Sequence, residues 1–303
     1  MSIKPSRDAV ISVGRVYCDL VFAGLPVMPQ MGREVFARSM QPVLGGGAFI
    51  AAAHLAHLGR ATALLASYGT DPLSQALAPQ FEASGIDLRF LERRDDAGPQ
   101  VTVVMTGPED RAFLSCRAGS AVPARFGEAL AWNRAGLLHI AEYATLVEQP
   151  DLVRRAKAAG LAVSLDPSWD DALITDPGLL EACVGVDIFL PNAEEALAIT
   201  GEARPEAALE SLVGHFPVVV VKCGREGALL GAGDMRLSAR APKVNAVDTT
   251  GAGDAFNAGF LDAHLSGRAL DACLDAGVAA GSRSVQFIGG APSDDTRRNS
   301  LAG

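Results

Sequence analysis

The sequence lacks the features that mark membrane-spanning, secreted and nucleic-acid-binding chains. No apolar run approaches the roughly 18 residues that a membrane-spanning helix requires, so we expect no membrane span. The N-terminal stretch MSIKPSRDAV passes from polar residues into a strand pattern without a signal-peptide core, which predicts a cytoplasmic location. The net charge of −9 argues against a nucleic-acid partner but not against a nucleotide held by backbone N–H groups. These absences favour a cytoplasmic protein with a small-molecule ligand.

Cysteine pairing motifs are also absent. The chain has five cysteines, an odd number, with no C-x-x-C spacing, which predicts reduced thiols in a reducing compartment. The cysteines are Cys18, Cys116, Cys183, Cys223 and Cys273. We expect them to pack as small buried hydrophobic side chains. His54 and His57 have helical i, i+3 spacing, but no further ligand type joins them, so we expect no zinc site there.

Two common nucleotide-binding motifs are missing. A NAD-dependent dehydrogenase needs G-x-G-x-x-G directly after a strand and an acidic residue about twenty positions later, and no strand here is followed by that pattern. The P-loop motif G-x-x-x-x-G-K-[ST] does not occur either. The sequence therefore excludes these two classes of nucleotide-dependent enzyme.

The second half of the chain predicts a parallel sheet. From residue 136 onward, GLLHIAE and LAVSLDP frame the helix DLVRRAKAAG, and VDIFLPN precedes the helix AEEALAITG. Short apolar strands that alternate with helices indicate a parallel sheet that is covered on both faces. We therefore predict an α/β fold over residues 1–303, a single domain with a doubly wound, mostly parallel central sheet and helices on both faces.

An earlier pattern does not fit this parallel layer. Val101–Gly107 and Arg111–Arg117 alternate in hydrophobicity around the turn GPED, which predicts a β-hairpin. We expect a small β-lid, built from residues 15–45 and 98–118, over the sheet edge where the parallel strands end. Ligands of open parallel sheets bind at that edge. The residues predicted there are Gly14–Asp19, Glu142, Asp166, Asn192, Lys222 and Gly251–Asp254.

The strongest motif is VDTTGAGDAFNAGF, at Val247–Phe260. Its small residues Gly251–Gly253 precede a helix pattern, and such a turn points free N–H groups outward at the positive end of a helix dipole. An anion or a phosphoryl group would be stabilised there. Asp254 would stand in the first helical turn, where its carboxylate can accept a proton from a hydroxyl group. The alternative is an Asp-capped helix after a glycine-rich turn, but the surrounding run of polar and small residues favours the functional interpretation.

This segment resembles the C-terminal signature of the ribokinase-like sugar and nucleoside kinases, and the resemblance extends over residues 9–293. It implies the three-layer ribokinase-like fold and ATP-dependent phosphorylation of a hydroxyl on a sugar or sugar-derived molecule. It further implies that Asp254 is the catalytic base and that the N–H groups of Gly251, Ala252 and Gly253 form an anion hole. Asp248 and the carbonyl of Thr250 resemble positions that hold a monovalent cation, such as K⁺, in many members.

Two further segments resemble the nucleotide and metal sites of this family. In PNAEEA, Asn192 and Glu195 match an Asn-x-x-Glu pattern, which implies a role in positioning Mg²⁺ and its waters near the phosphates. The alternative is a helix N-cap with an acidic first turn. In VVVVKCGREGAL, Lys222, Gly224 and Gly227 resemble the loop that contacts the nucleotide phosphates. The alternative there is a plain β-turn between two strands.

The substrate side is implied by the N-terminal part. Asp19 resembles the family's contact to two sugar hydroxyls, and Glu142 falls where several sugar kinases place another polar contact. The run LGGGAFIAAAHLAHLG matches the glycine-rich first signature and includes Gly46 as a substrate-site residue. One residue departs from the pattern: Ile50 stands where most sugar kinases carry an asparagine. The loss of that contact predicts a less hydroxylated or rotated substrate rather than ribose.

Two alternative functions remain. A nucleoside kinase would present a ribosyl hydroxyl to the same base, and Trp169 is the aromatic residue that would support it, but three Tyr and two Trp in the whole chain favour sugars or sugar acids. A non-catalytic sugar or nucleotide sensor would be expected to lose the base or the anion hole, and both motifs are intact. On the hairpin, Arg111 and Phe113 would either close over a ligand or pack on the surface. The family's lids often pair edge to edge, which implies a homodimer.

Overall fold

The computed structural model describes residues 7–107, 111–287 and 289–292. The strands are β1 (Ala9–Val13), β2 (Tyr17–Ala23), β3 (Ser39–Gly45), β4 (Thr62–Gly69), β5 (Leu91–Arg94), β6 (Val101–Thr106), β7 (Arg111–Cys116), β8 (Ala135–Ile140), β9 (Ala162–Leu165), β10 (Ile188–Phe189), β11 (Val218–Lys222), β12 (Ala228–Ala232) and β13 (Met235–Ala239). The helices are α1 (Gly47–His57), α2 (Pro72–Ser84), α3 (Phe126–Leu130), α4 (Tyr143–Glu148), α5 (Leu152–Ala158), α6 (Leu179–Ala182), α7 (Ala193–Thr200), α8 (Pro205–Val213), α9 (Ala252–Leu265) and α10 (Leu270–Ser284).

The central sheet has nine strands in the order β13-β12-β11-β10-β9-β8-β1-β4-β5. The strands from β11 to β5 pair in parallel, and β12 and β13 continue the sheet as an antiparallel edge. Every residue of β1 and β4 is buried, as expected for strands that are covered on both faces. The predicted α/β fold with a mostly parallel sheet is therefore confirmed.

Three apolar clusters fill the space between the sheet and its helices. One lies under α3 to α8 and includes the stacked rings of Phe189 and Phe216, whose centroids are 4.3 Å apart. On the opposite face, a second cluster lies under α9 and α10, and a third lies under α1 and α2. Within the described ranges, no helix is long and apolar enough to cross a membrane. The cysteines agree only in part with the expectation of burial, because Cys116 is exposed and Cys223 is half-buried.

A second, smaller sheet has four strands in the order β3-β2-β6-β7. Its strands come from the two segments in which the lid was expected. β6 and β7 pair antiparallel as the predicted hairpin, while residues 108–110 of its GPED turn lie outside the described residues. β2 pairs with β3 antiparallel and with β6 in parallel. Because β2 follows β1 after only a few residues, the small sheet is joined directly to one of the parallel strands of the large one.

Close packing of α9 against α10 fixes the position of α9. A Cβ atom on Gly259 would lie 2.6 Å from the Ala276 carbonyl oxygen and 2.7 Å from the Ala280 Cβ atom. Neither neighbour is a flexible side-chain end, so the two helices can approach this closely only with glycine at residue 259. Since α9 begins with the GAGD motif, this contact also determines where the motif lies relative to the sheet.

We expect Gly259→Ala to lower the free energy of unfolding by about 1–2 kcal/mol, because overpacking between the helices outweighs the better helix propensity of alanine. Gly214→Ala is the matched control: Gly214 has an ordinary helical φ of −68° and only one atom, the Ser211 carbonyl oxygen at 3.8 Å, near its Cβ position. Urea denaturation of both variants measures the difference. Equal stabilities of Gly259→Ala and Gly214→Ala would contradict the packing argument.

Candidate active site

The first turn of α9 presents open backbone N–H groups. Gly251 precedes the helix in the left-handed conformation (φ 70°), and a Cβ atom there would lie 2.7 Å from the Gly290 Cα atom, so glycine is required. The helix begins at Ala252, two residues earlier than a loop over Gly251–Gly253 would allow. Ala252 donates its N–H to the Thr249 carbonyl over a long 3.3 Å, whereas the N–H groups of Gly251 and Gly253 have no acceptor in the described ranges. Two of the three predicted anion-hole donors are thus open.

Asp254 lies in this first turn and is partly exposed rather than turned into the core. Its Oδ1 atom is 3.0 Å from the position that a Cβ atom on Gly47 would take. Burial is the main cause that raises the pKa of Asp254 to about 7, and the carboxylate of Asp166 adds to it, whereas Lys222 acts in the opposite direction. A carboxylate with this pKa can accept a proton near neutral pH.

Asp19 and Asp254 lie at opposite ends of the glycine segment Gly45–Gly47. Asp19 is a buried residue of β2, and its carboxylate packs against Gly45 so closely that any Cβ atom there would overlap it. Burial raises the pKa of Asp19 to about 7, and a hydrogen bond with Thr102 opposes the shift. Gly46, with a φ of 90°, leaves no space for a side chain beside the Arg15 carbonyl, and Gly47 faces Asp254. Only glycine backbone therefore separates the surroundings of Asp19 from those of Asp254.

Glu142 lies beside this segment, directly before α4. Its Oε1 atom accepts the backbone N–H of Arg15 at 3.0 Å and the hydroxyl of Thr145 at 3.3 Å. Burial raises the pKa of Glu142, and Arg15 and Arg117 oppose the shift. One carboxylate oxygen is thus used to hold the β1–β2 connection, and no hydrogen bond to Oε2 occurs among the described residues. A substrate contact by Glu142 stays a prediction for the second oxygen.

Asn192 and Glu195 form a capping box at the start of α7. The Asn192 side chain accepts the Glu195 N–H at 2.9 Å, and the Glu195 carboxylate accepts the Asn192 N–H at 2.7 Å. The cap interpretation of this motif is therefore correct at the level of local structure. Burial raises the pKa of Glu195 to about 7, and Asp166 raises it further. In the described ranges, no group of three or more acidic, His or Cys side chains is arranged around a metal position.

Lys222 does not extend freely towards a ligand, as a phosphate contact would require. It is buried at the end of β11, where its ammonium group forms an ion pair with Asp166 and lies 3.4 Å from the Asn257 Oδ1 atom. Asn257 in turn donates its Nδ2 to Asp166 at 2.6 Å. The sequence did not predict this pairing. The residue that could have indicated it is Asn257, which lies three positions after Asp254 on a buried helix face. A buried polar side chain needs a hydrogen-bond partner.

The turn after Lys222 contains two glycines, and packing within the protein is enough to explain why residue 227 is a glycine. A side chain on Gly227 (φ 102°) would overlap the Ala239 carbonyl at the end of β13, and the Gly227 carbonyl accepts the Cys223 N–H at 2.8 Å. Gly227 is therefore a structural turn residue. Gly224 (φ 55°) has no atom within 4 Å of its Cβ position, so its surface is open.

Asp248 clamps the segment before the GAGD motif. Its two oxygens accept the Thr250 N–H at 2.8 Å and the Gly289 N–H at 3.0 Å. The Thr250 Oγ1 atom is buried and makes no hydrogen bond to any residue in the described part of the chain. On the small sheet, the Arg111 guanidinium donates to the Thr249 hydroxyl and lies 5.2 Å from the Phe113 ring centre.

Ile50 does not face the space between Asp19 and Asp254 as a hydroxyl contact would. It is buried in α1, and its Cγ2 and Cδ1 atoms lie 3.0 Å and 2.6 Å from the Cβ positions of Gly251 and Gly290, respectively. Ile50 thus supports the anion-hole turn from behind. Trp169 is about half exposed, and its Nε1 donates to Asp171 at 2.7 Å.

The chain resembles several known kinases. The pfkB family carbohydrate kinase profile matches residues 10–297. A ribokinase from Haemophilus influenzae is 27% identical over 307 residues, covering 97% of this chain and 98% of the relative. A nucleoside kinase from Methanothermobacter thermautotrophicus is 29% identical over 279 residues, covering 89% and 87%.

Solved structures show the same fold. The structure of Arabidopsis thaliana ribokinase complexed with ribose and ATP superposes with a TM-score of 0.79 at 23% identity, covering 99% of this chain and all of that one. Because the family profile spans nearly the whole chain, the protein belongs to the pfkB family of carbohydrate kinases.

Proposed function

We propose that this kinase transfers the γ-phosphoryl group of ATP to a hydroxyl group of a sugar or sugar-derived molecule, with Asp254 as the general base. Membership of a kinase family and its ribokinase relatives support the reaction class. The observation that carries the assignment of the base is the position of Asp254: its carboxylate stands beside open N–H groups at the positive end of α9 and has a pKa of about 7.

The proposed transfer needs the acceptor hydroxyl to be held in place and deprotonated beside the group that stabilises the phosphoryl charge. The substrate lies along the glycine segment between Asp19 and Asp254, where Asp19 accepts hydrogen bonds from substrate hydroxyls. Asp254 takes the proton of the attacking substrate hydroxyl while the oxygen of that hydroxyl forms a bond to the γ-phosphorus. The bond from the γ-phosphorus to the β,γ-bridging oxygen breaks, and ADP is released. The N–H groups of Gly251 and Gly253 stabilise the negative charge on the transferring group, and Ala252 adds a third donor if its long turn bond opens.

The residues present fit ATP and Mg²⁺. Asp166 raises the pKa of both Glu195 and Asp254, and Asp254 also raises the pKa of Glu195, which means that added positive charge is favourable among them. Asn192 and Glu195 would hold Mg²⁺ through waters, where the ion would neutralise phosphate charge. The open turn at Gly224, bounded by Gly227, would lie along the phosphates.

The monovalent-cation site rests on a separate observation. Thr250 has a buried hydroxyl without a partner in the described ranges, and Asp248 holds the same segment. Asp248 and the Thr250 carbonyl would therefore hold K⁺ beside the anion hole.

The substrate is proposed to be a sugar or sugar acid, with a nucleoside as the second candidate. Ile50 removes the polar side chain expected near the start of α1, which favours an acceptor with fewer hydroxyl contacts. The nucleoside alternative is supported by the half-exposed Trp169, whose ring could stack on a base, and by the nucleoside kinase relative. ADP release with ribose, 2-dehydro-3-deoxygluconate, adenosine and cytidine as acceptors decides between them.

We place this function in a cytoplasmic homodimer whose small sheet acts as a lid. Phe113 and Leu114 on β7 and Met40 on β3 are large apolar side chains that are more than half exposed. An exposed apolar surface on a sheet favours pairing with a second copy. Arg111 already joins this sheet to Thr249, which supports closure over the bound substrate.

Replacing Asp254 tests the proposed base. We expect Asp254→Asn to lower kcat by about 10²–10⁴-fold, because the variant cannot accept the hydroxyl proton, while the Kd for Mg-ATP stays within about threefold. Coupled ADP-release kinetics and calorimetry measure the two quantities. Asp271→Asn, an acidic residue in the first turn of the neighbouring α10, is the matched control and should retain full activity. Undiminished turnover in Asp254→Asn would remove this residue from the mechanism.

The pH dependence of kcat/KM tests the same assignment. Asp254 acts only when deprotonated and has a pKa of about 7 in the protein without ligand, so kcat/KM, which reports the free enzyme, should fall about tenfold per pH unit below that value and level off above it. Asp19 has a similar pKa, and Asp19→Asn separates the two groups. This variant should keep the acidic limb and raise KM for the acceptor, not for ATP. A wild-type limb centred near pH 4 would contradict the assignment.

A further inference from the structure

Three buried side chains connect the centre of the sheet to the helix that carries Asp254. Asp166 follows β9, Lys222 ends β11, and Asn257 lies one turn after Asp254 in α9. The Lys222 ammonium and the Asn257 amide both donate to the same oxygen of Asp166, the amide at 2.6 Å. The other Asp166 oxygen accepts the Ser168 N–H at 3.1 Å. The Asp166 carboxylate therefore has partners on three different segments.

Lys222 is directed beneath the anion-hole turn. Its Nζ atom lies 3.4 Å from the position that a Cβ atom on Gly253 would take, and 3.4 Å from the Asn257 Oδ1 atom. A Lys222 side chain that reached out to a nucleotide would have to leave Asp166. That move would leave the buried Asp166 carboxylate without its ion-pair partner, which is strongly unfavourable.

We propose that Asp166, Lys222 and Asn257 form a positioning network that holds the first turn of α9, so that Lys222 acts through Asp254 and the anion hole and not as a nucleotide contact. This inference rests on the proposed role of Asp254. It assigns Lys222 a role different from the one that its sequence motif implies. The network holds Asp254 in place through Asn257, and it sets the local charge through one cation and one anion.

The two charged members act on Asp254 with opposite signs. Asp166 disfavours and Lys222 favours the Asp254 carboxylate. Glu195 from α7 and Asp19 from β2 are the other acidic groups nearby, and the buried His139 of β8 behind the network is neutral, because burial lowers its pKa to about 4. Removing the lysine charge should therefore move the acidic limb of kcat/KM to higher pH, and removing the aspartate charge should move it to lower pH.

The experiment compares Lys222→Met with Asp166→Asn. For Lys222→Met we expect kcat to fall by about 10²-fold, as for a displaced catalytic group, and the acidic limb to rise by about one pH unit. For Asp166→Asn we expect the limb to fall by a similar amount. The Kd for the non-hydrolysable analogue β,γ-imido-ATP with Mg²⁺, measured by calorimetry, should change less than about threefold in both.

Lys157→Met is the matched control, because Lys157 forms an ion pair with Asp187 away from this site. It should leave kcat, the pH limb and analogue binding unchanged. If Lys222→Met does not fold, the double variant Lys222→Met/Asp166→Asn removes both buried charges together. It should restore the limb close to its wild-type position while kcat stays low, because the geometric support is still missing.

Three results would overturn the inference. A rise of tenfold or more in the Kd of the analogue for Lys222→Met would make Lys222 a nucleotide contact. Limbs that shift in the same direction in the two single variants, or unchanged kinetics, would remove the network from the reaction. Asp254→Asn distinguishes failure of this inference from failure of the proposed function. An active Asp254→Asn enzyme refutes the general base itself. An inactive Asp254→Asn enzyme, together with unchanged acidic limbs of the pH profile in the network variants, refutes only the network.

Discussion

The positive end of α9 lies beside buried and half-buried carboxylates, and this electrostatic arrangement constrains the rest of the site. Asp254, Glu195 and Asp19 each have a pKa raised to about 7, mainly because burial disfavours the charged form. Burying like charges together costs folding free energy, so other features must offset it. The Lys222 ammonium is one, and the open N–H groups before Asp254 are another. Burial disfavours the charged carboxylates in the free protein. In the proposed mechanism, the same burial would let Asp254 accept a proton beside a bound phosphoryl group.

The parts of this site that depend on local sequence were predictable. The left-handed Gly251 and the helix after it follow from small residues next to an amphipathic pattern, and the position of Asp254 in the first turn follows from the same run of letters. The parallel sheet was predictable for a similar reason, because strands that are buried on both faces read as short apolar runs. Each of these features is decided by neighbours within a few positions along the chain.

The parts that local sequence could not show depend on which distant segments meet. Lys222 and Asp166 are 56 residues apart, and Asp166 and Asn257 are 91 apart, so their pairing follows from strand order and not from any motif. Gly227 appeared to serve a phosphate, but it is required where the end of β13 crosses the turn. The antiparallel edge formed by β12 and β13 was not predicted either, because the direction in which edge strands pair depends on the fold as a whole.

Ile50 has a packing role that bears on the proposed substrate specificity. Its side chain fills the gap between Gly251 and Gly290, two positions where no Cβ atom fits. A polar amide in that gap would need hydrogen-bond partners that glycine Cα atoms cannot supply, so it would turn towards the substrate instead. Isoleucine removes that polar group and at the same time buries apolar surface against the anion-hole turn. In the proposed function, Ile50 would therefore support the phosphoryl site and at the same time narrow the set of acceptors that the pocket takes.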